Sequence, residues 1–313
     1  MDTEIQEAAV RLAAQNIALE VGTPPSGNVL IFCSREKMGL AERVAESLDQ
    51  AGLEYHILLL GVRLNSSLER LRKLIEDSAG SWGLVILLHP RHANFLFKVI
   101  GRPDLGVRIP EKHLFCDWLI HPDSLVRTFA VDRGELASFR QNLQARLGGS
   151  KELRVVSEAG TDIVLHPRTW QATSGEVFTA PIERQTNGKI WVDGCAYGGP
   201  PENPFRLEIE NGRVTNVKSL DREDRQQTWV RTDLSRDEQS NVLAEFGIGV
   251  NPGAEWNQEL MESEQARGTC HFGFGNNLAY GGMNVSSYHF DLVVRFPTIE
   301  VDGRIIFRRG EYV

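Results

Sequence analysis

At Gly148-Gly-Ser150 the hydrophobic period of this chain changes, and that change limits the folds open to it. Upstream, Asn28-Val-Leu-Ile-Phe-Cys33, Tyr55-His-Ile-Leu-Leu-Leu60 and Leu84-Val-Ile-Leu-Leu88 are short, almost wholly apolar runs. Segments 4–18, 38–51 and 67–78 instead carry apolar residues every three or four positions, the period of an amphipathic helix. Strands that are apolar throughout suit a sheet covered on both faces, so residues 1–150 are expected to form an α/β domain with a parallel sheet. Lys112-His-Leu-Phe-Cys-Asp117 adds a short strand, and Pro122–Leu147 a helix broken near Asp132-Arg-Gly134. Downstream the period is two: Glu152–Ser157, Asp162–His166 and Lys189–Asp193 alternate, and Arg206–Val217 reads as a hairpin turning at Asn211-Gly212. Residues 151–313 are therefore expected to be a mostly antiparallel β (α+β) domain, with one inserted helix over Asp237–Ala244 that ends at Glu245.

At 313 residues the chain exceeds the size at which single cores usually stop growing, which agrees with two domains. A formal net charge of −8 argues against nucleic acid, since phosphate binding needs a basic face. The arginines at 304, 308 and 309 do not supply one, because Asp302 and Glu311 flank them. No apolar run approaches the length needed to span a bilayer, so no membrane partner is expected. Four cysteines, Cys33, Cys116, Cys195 and Cys270, are widely spaced without a C-x-x-C pair. That usage suits buried thiols in a reducing, cytoplasmic setting. The first strand-to-helix junction, Cys33-Ser-Arg-Glu-Lys-Met-Gly39, lacks the glycines that bring backbone N–H groups to a dinucleotide, so a nucleotide cofactor is not expected. His89-Pro-Arg-His92 reads as a solvated turn, and His56, His113, His121 and His166 as surface or structural residues.

The chemistry concentrates in the last third. His289 and Asp291 stand two apart in an alternating strand and so share a face. His271 lies in the apolar run His-Phe-Gly-Phe-Gly, Glu245 in Leu-Ala-Glu-Phe-Gly-Ile-Gly, and Glu176 heads Glu-Val-Phe-Thr. Charged groups set in apolar strands are costly unless compensated, and a metal ion compensates carboxylates while also using imidazoles. An exposed polar pair is the plain alternative for an isolated His-x-Asp; the additional carboxylates favour the metal.

Ser174-Gly-Glu-Val-Phe-Thr-Ala-Pro181, Glu245-Phe-Gly-Ile-Gly-Val-Asn-Pro252, Gly268-Thr-Cys-His-Phe-Gly-Phe-Gly275 and His289-Phe-Asp-Leu-Val-Val294 together resemble the metal-binding segments of the thermophilic-type metallo-aminopeptidases, the aminopeptidase T and aminopeptidase S group. Gly249-Val-Asn-Pro-Gly-Ala-Glu-Trp256 and the His-Phe-Asp segment resemble, more distantly, the iron-dependent 2,5-dihydroxypyridine dioxygenases. The first resemblance implies that Glu176, Glu245, His271, His289 and Asp291 surround a two-metal centre of Zn, Mn or Co. It further implies that Glu245 or Asp291 bridges the ions, with Glu245 as a catalytic group, that a peptide or amino-acid amide is the substrate, and that the chain is a homodimer. The family tyrosine after the Gly-Thr-Cys-His segment is replaced by Leu278, leaving Tyr280 as the candidate oxyanion donor. The second resemblance implies mononuclear Fe held by His271, His289 and Asp291. A degenerate member that binds peptide without turnover is a third possibility, because motif and fold do not guarantee activity.

Overall fold

The computed structural model describes residues 3–21, 28–59, 84–88, 114–116, 121–173, 175–219, 222 and 225–313. The helix expected over 67–78 and the histidines at 89, 92 and 113 lie outside these residues. Two compact units divide the chain, Met1–Val131 and Asp132–Val313, so the helix Arg133–Leu147 belongs with the β-rich unit, and the division falls before the glycine pair at 148–149. This is a two-domain α/β organisation. No helix among the described residues is long and apolar enough to cross a membrane.

In the first unit β1 (Asn28–Cys33) pairs in parallel with β2 (Glu54–Leu59) and with β3 (Leu84–Leu88), which in turn pairs in parallel with β4 (Leu114–Cys116). Five consecutive residues of β1, from Val29 to Cys33, are buried, as a strand covered on both faces must be. The helices Thr3–Val21, Met38–Gln50 and Pro122–Phe129 supply Ala13, Ile17, Leu40, Val44, Leu48 and Leu125 to the core. Asn16 is also buried in the first of these helices, and its amide donates to the carbonyls of Phe129 and Val131.

The second unit holds two antiparallel sheets. The larger runs β11-β10-β9-β6-β5-β15-β16-β17, where β5 is Leu153–Val156, β6 Asp162–Leu165, β9 Asn187–Val192, β10 Phe205–Glu210, β11 Arg213–Ser219, β15 Thr298–Val301, β16 Arg304–Arg308 and β17 Glu311–Tyr312. Asn211 and Gly212 turn the β10–β11 hairpin with φ of 48° and 72°, the left-handed pair that an Asn-Gly hairpin turn requires. The smaller sheet runs β14-β13-β12-β8-β7, where β7 is Gln171–Ala172, β8 Glu176–Thr179, β12 Leu243–Gly249, β13 Thr269–Gly275 and β14 His289–Arg295.

The helix expected over Asp237–Ala244 is not there. The helix of this region is Arg225–Asp233, and Glu245 lies inside β12 rather than at a helix end. Short polar side chains explain the difference. The Asp237 carboxylate accepts the Gln239 N–H at 2.9 Å, and Ser240 Oγ accepts the Asp237 N–H at 2.9 Å, so the backbone groups a helix would use are satisfied in a turn.

One face of the smaller sheet is aromatic. Phe246 meets Phe272 at 5.3 Å between ring centres, Phe274 meets Phe290 at 5.6 Å, and Trp170 meets Phe246 edge-on at 6.4 Å. Burying each such ring stabilises the fold by about 1.5–3 kcal/mol. This packing fixes the register, and the register decides what stands on the other face.

Candidate metal centre

On that other face, each of the five sequence-predicted ligands has a glycine as a cross-strand partner. Glu176 pairs with Gly249, His271 with Gly247, His289 with Gly275, and both Glu245 and Asp291 with Gly273. Directly opposed residues project side by side from one face, so a missing side chain leaves room for its neighbour to lie across the sheet. A Cβ on Gly247 would stand 2.1 Å from the His271 ring, and one on Gly273 would stand 2.6 Å from Asp291 Oδ1 and 2.8 Å from Glu245 Cβ. The glycines thus make the space in which the charged groups converge.

The convergence forms a chain of contacts. His271 Nε2 lies 3.3 Å from Glu176 Oε2 and 3.7 Å from Glu245 Oε1; His289 Nε2 lies 3.2 Å from Glu245 Oε2 and 3.3 Å from Asp291 Oδ1. Two sets of ligand atoms result, Glu176–Glu245–His271 and Glu245–His289–Asp291, each within 4.8 Å, and Glu245 is common to both. Thr173 Oγ1 donates to Glu176 Oε1 at 3.2 Å. His289 Nδ1 lies 2.8 Å from the Asn276 carbonyl, which can only accept, so Nδ1 carries a proton and Nε2 faces the carboxylates.

The electrostatics follow from burial and from one another. Burial is the largest influence on Glu176 and, with Glu245 and Asp291 nearby, raises its carboxyl to about 7 against the opposing pull of His271. Burial alone would lower His271, but its bond to Glu245 and the charges of Glu176 and Glu264 raise it to about 10. His289 is likewise raised well above its ordinary value, burial being outweighed by Asp291 and Glu245. Asp291 is lowered: burial opposes this, and His289 overcomes it.

Glu264, which sequence reasoning missed, also belongs here. It follows the short helical turn Leu260–Ser263, is 5% exposed, and is pushed well above the carboxylate range first by burial and then by Asp291. Its Oε1 has no hydrogen-bond partner among the described residues. A buried carboxylate oxygen left unpaired beside three further carboxylates and two imidazoles fits a cation-binding role, because four acidic groups crowd two imidazoles and, with no cation between them, Glu176 and Glu264 are pushed toward their neutral forms. The donor set, oxygen with imidazole nitrogen, suits a divalent ion of the zinc, manganese, cobalt or iron kind. Among the described residues, no set of ligand atoms within 4.8 Å joins both histidines to Asp291.

Tyr280 ends a 3-10 turn, Leu278–Tyr280, inside the glycine- and asparagine-rich loop between β13 and β14. Its ring lies edge-on to His289 at 5.2 Å and to Phe178 at 5.4 Å. Burial first, then Glu245, Asp291, Glu176 and Glu264, push its hydroxyl well above the usual phenol value, so it stays protonated and able to donate. Gln171 holds the Tyr280 carbonyl at 2.8 Å. The neighbouring thiol of Cys270 is buried and raised by desolvation, on the side of the strand away from His271.

A family model described as NicX, 2,5-dihydroxypyridine 5,6-dioxygenase, matches residues 116–313. The chain belongs to this family. Among solved structures it is similar to 2,5-dihydroxypyridine dioxygenase from Pseudomonas putida KT2440, with 15% identity, 97% of this chain and 96% of that one covered, and a TM-score of 0.68. It is equally similar to AmpT from Thermus thermophilus, with 16% identity, 98% and 99% coverage, and a TM-score of 0.68. At these identities the likeness is one of fold. A search of curated proteins finds no match. Both lineages that the motifs resemble are thus represented among its structural relatives, one an aminopeptidase and one a dioxygenase.

Proposed function

We propose that this chain is a metal-dependent hydrolase of the aminopeptidase kind, acting on a peptide or amino-acid amide at a two-metal centre. The observation that carries the proposal is Glu245, whose two oxygens serve two separate ligand sets, one completed by Glu176 and His271 and the other by His289 and Asp291. A shared carboxylate between two nitrogen- and oxygen-donor sets is what a co-catalytic pair of divalent ions requires. Such ions would supply Lewis-acid polarisation of the scissile carbonyl and a water acidic enough to attack at neutral pH.

The protein's own part is positioning. Thr173 and Asn276 orient Glu176 and His289, and the glycines keep the sheet face open beneath them. Tyr280, kept protonated near the carboxylates and edge-on to His289, would donate a hydrogen bond to the oxygen on which negative charge develops. The chain is proposed to work as a homodimer, as the aminopeptidase resemblance implies.

A second reading is favoured by the family match: His271, His289 and Asp291 as a two-histidine, one-carboxylate set for iron, acting on a dihydroxylated aromatic ring. Metal analysis separates the two. The hydrolase reading expects two equivalents of Zn, Mn or Co per chain, falling to one in Glu176→Gln, with cleavage of amino-acid amides. One equivalent of iron with oxygen-dependent consumption of 2,5-dihydroxypyridine would replace it with the dioxygenase reading.

A further inference from the structure

One cavity lined by described residues lies apart from the metal ligands. It measures about 540 Å³ and is lined by Arg168, Glu183, Arg184, Arg213, Met283 and Val285, among others. Arg168 is neutralised by its pairing with Glu183, but the other two guanidinium groups are not. Among the described residues neither Arg184 nor Arg213 has a carboxylate within 4.0 Å. The hydrogen bonds of Arg213 go to neutral oxygens, the Glu238 carbonyl at 2.8 Å, Asn241 Oδ1 at 2.7 Å and Gln239 Oε1 at 2.8 Å, which fix the group and leave its charge in place. In a chain of net charge −8, two uncompensated cations facing one cavity are an uneven distribution that calls for an anion. The same cavity carries a second feature. Met283 is 74% exposed and Val285 63% exposed, so its apolar rim is left to water.

We propose that this cavity is a binding site for an organic carboxylate that carries an apolar group. Guanidinium groups match the planar, two-oxygen geometry of a carboxylate, and the apolar part of such a ligand would cover Met283 and Val285. The site adjoins the loop that holds Tyr280. Glu183 Oε1 accepts from the Met283 N–H at 2.8 Å and from Asn277 Nδ2 at 3.1 Å, and Asn277 Oδ1 accepts the Asn284 N–H at 2.7 Å, which closes that loop. The inference uses none of the metal ligands and stands whether or not the hydrolase reading does.

The test is calorimetric titration of the intact protein with hexanoate, 1-hexanol and inorganic phosphate, repeated on two variants. Arg184→Gly removes one charge at a position whose φ of 65° suits glycine, and Val285→Glu places a carboxylate on the exposed rim. Saturable one-to-one binding of hexanoate is expected, at least about tenfold tighter than that of hexanol or phosphate and at least about tenfold weaker in both variants. Thermal unfolding shows that each variant is folded, and if one is not, the other decides. No hexanoate binding by the unaltered protein, binding that persists in the variants, or phosphate binding as tightly as hexanoate would each overturn the proposal. Binding that persists in the variants would place the anion at the metal centre instead.

Discussion

Replacing Gly247 with alanine tests whether His271 is a ligand without touching any ligand. The added Cβ would stand 2.1 Å from both Cε1 and Nε2 of His271, where ordinary contact begins at 3.4 Å. The ring must therefore move by more than about 1 Å, or the strands must part. Neither is easy, because His271 is 1% exposed and both β12 and β13 are buried along their whole length. Overpacking of this sort costs about 1–3 kcal/mol of stability. A reacting group displaced by about 1 Å costs about a hundredfold in rate. The two ligand sets predict an asymmetry as well: His271 belongs to only one of them, so Gly247→Ala should lose one metal equivalent and keep the other. Metal content by elemental analysis, turnover of an amino-acid amide and urea denaturation read the three effects separately. Gly39→Ala is the control, since a Cβ there meets nothing within 4 Å, and it lies on a helix where alanine adds about 0.5–1 kcal/mol. Full metal content and unchanged turnover in Gly247→Ala would refute the assignment of His271. Loss of all metal would favour a single ion held by both histidines.

Further outcomes are expected. Tyr280→Phe should lower turnover by about ten- to a thousandfold with metal content unchanged, as loss of one oxyanion donor does; equal turnover would remove Tyr280 from the chemistry. Asp237 accepts from the Ser287 N–H, the hydroxyls of Ser286 and Ser287 and the Gln239 N–H, bonds that hold its carboxyl well below the usual range. Its folded value lies below the unfolded one of about 3.9, so the stability it contributes is present above about pH 4 and is lost as pH falls through the depressed value. Denaturation midpoints followed from pH 7 downward should show that loss, and Asp237→Asn should be less stable at neutral pH with a flatter acid limb. Burial lifts the thiols of Cys33 and Cys195 to about 11 and about 12, so neither should react with iodoacetamide at pH 8 until the protein is unfolded, as mass spectrometry would show.

The β-rich unit was legible where one local rule dominated. Period-two alternation marked β5, β6 and β9, and Asn211-Gly212 marked its hairpin, because side-chain direction and a left-handed turn are local properties. The residues 237–244 misled because Leu243, Ala244 and their neighbours tolerate either structure, and the decision came from Asp237 and Ser240 bonding to nearby backbone. Glu245 therefore stands within a strand and not at a helix end. It is 5% exposed, and that strand is buried throughout.

The alternating glycines carry a signal of the same site that the reading of charged groups in apolar runs left unused. In Glu245-Phe-Gly-Ile-Gly249 and His271-Phe-Gly-Phe-Gly275 every second residue after the charged one is glycine, and the intervening residues are large and apolar. A strand needs no glycine for its own sake, since glycine weakens it. A row of glycines on one face, backed by aromatic residues on the other, is therefore accounted for by large groups from adjacent strands that must lie over it, and the cross-strand partners here are the five candidate ligands. Glu264 follows no such period, because it reaches the cluster from a turn outside the sheet. Local pattern could reveal the groups that the sheet itself aligns; a carboxylate delivered by the return path of the chain becomes visible only once the sheet is folded.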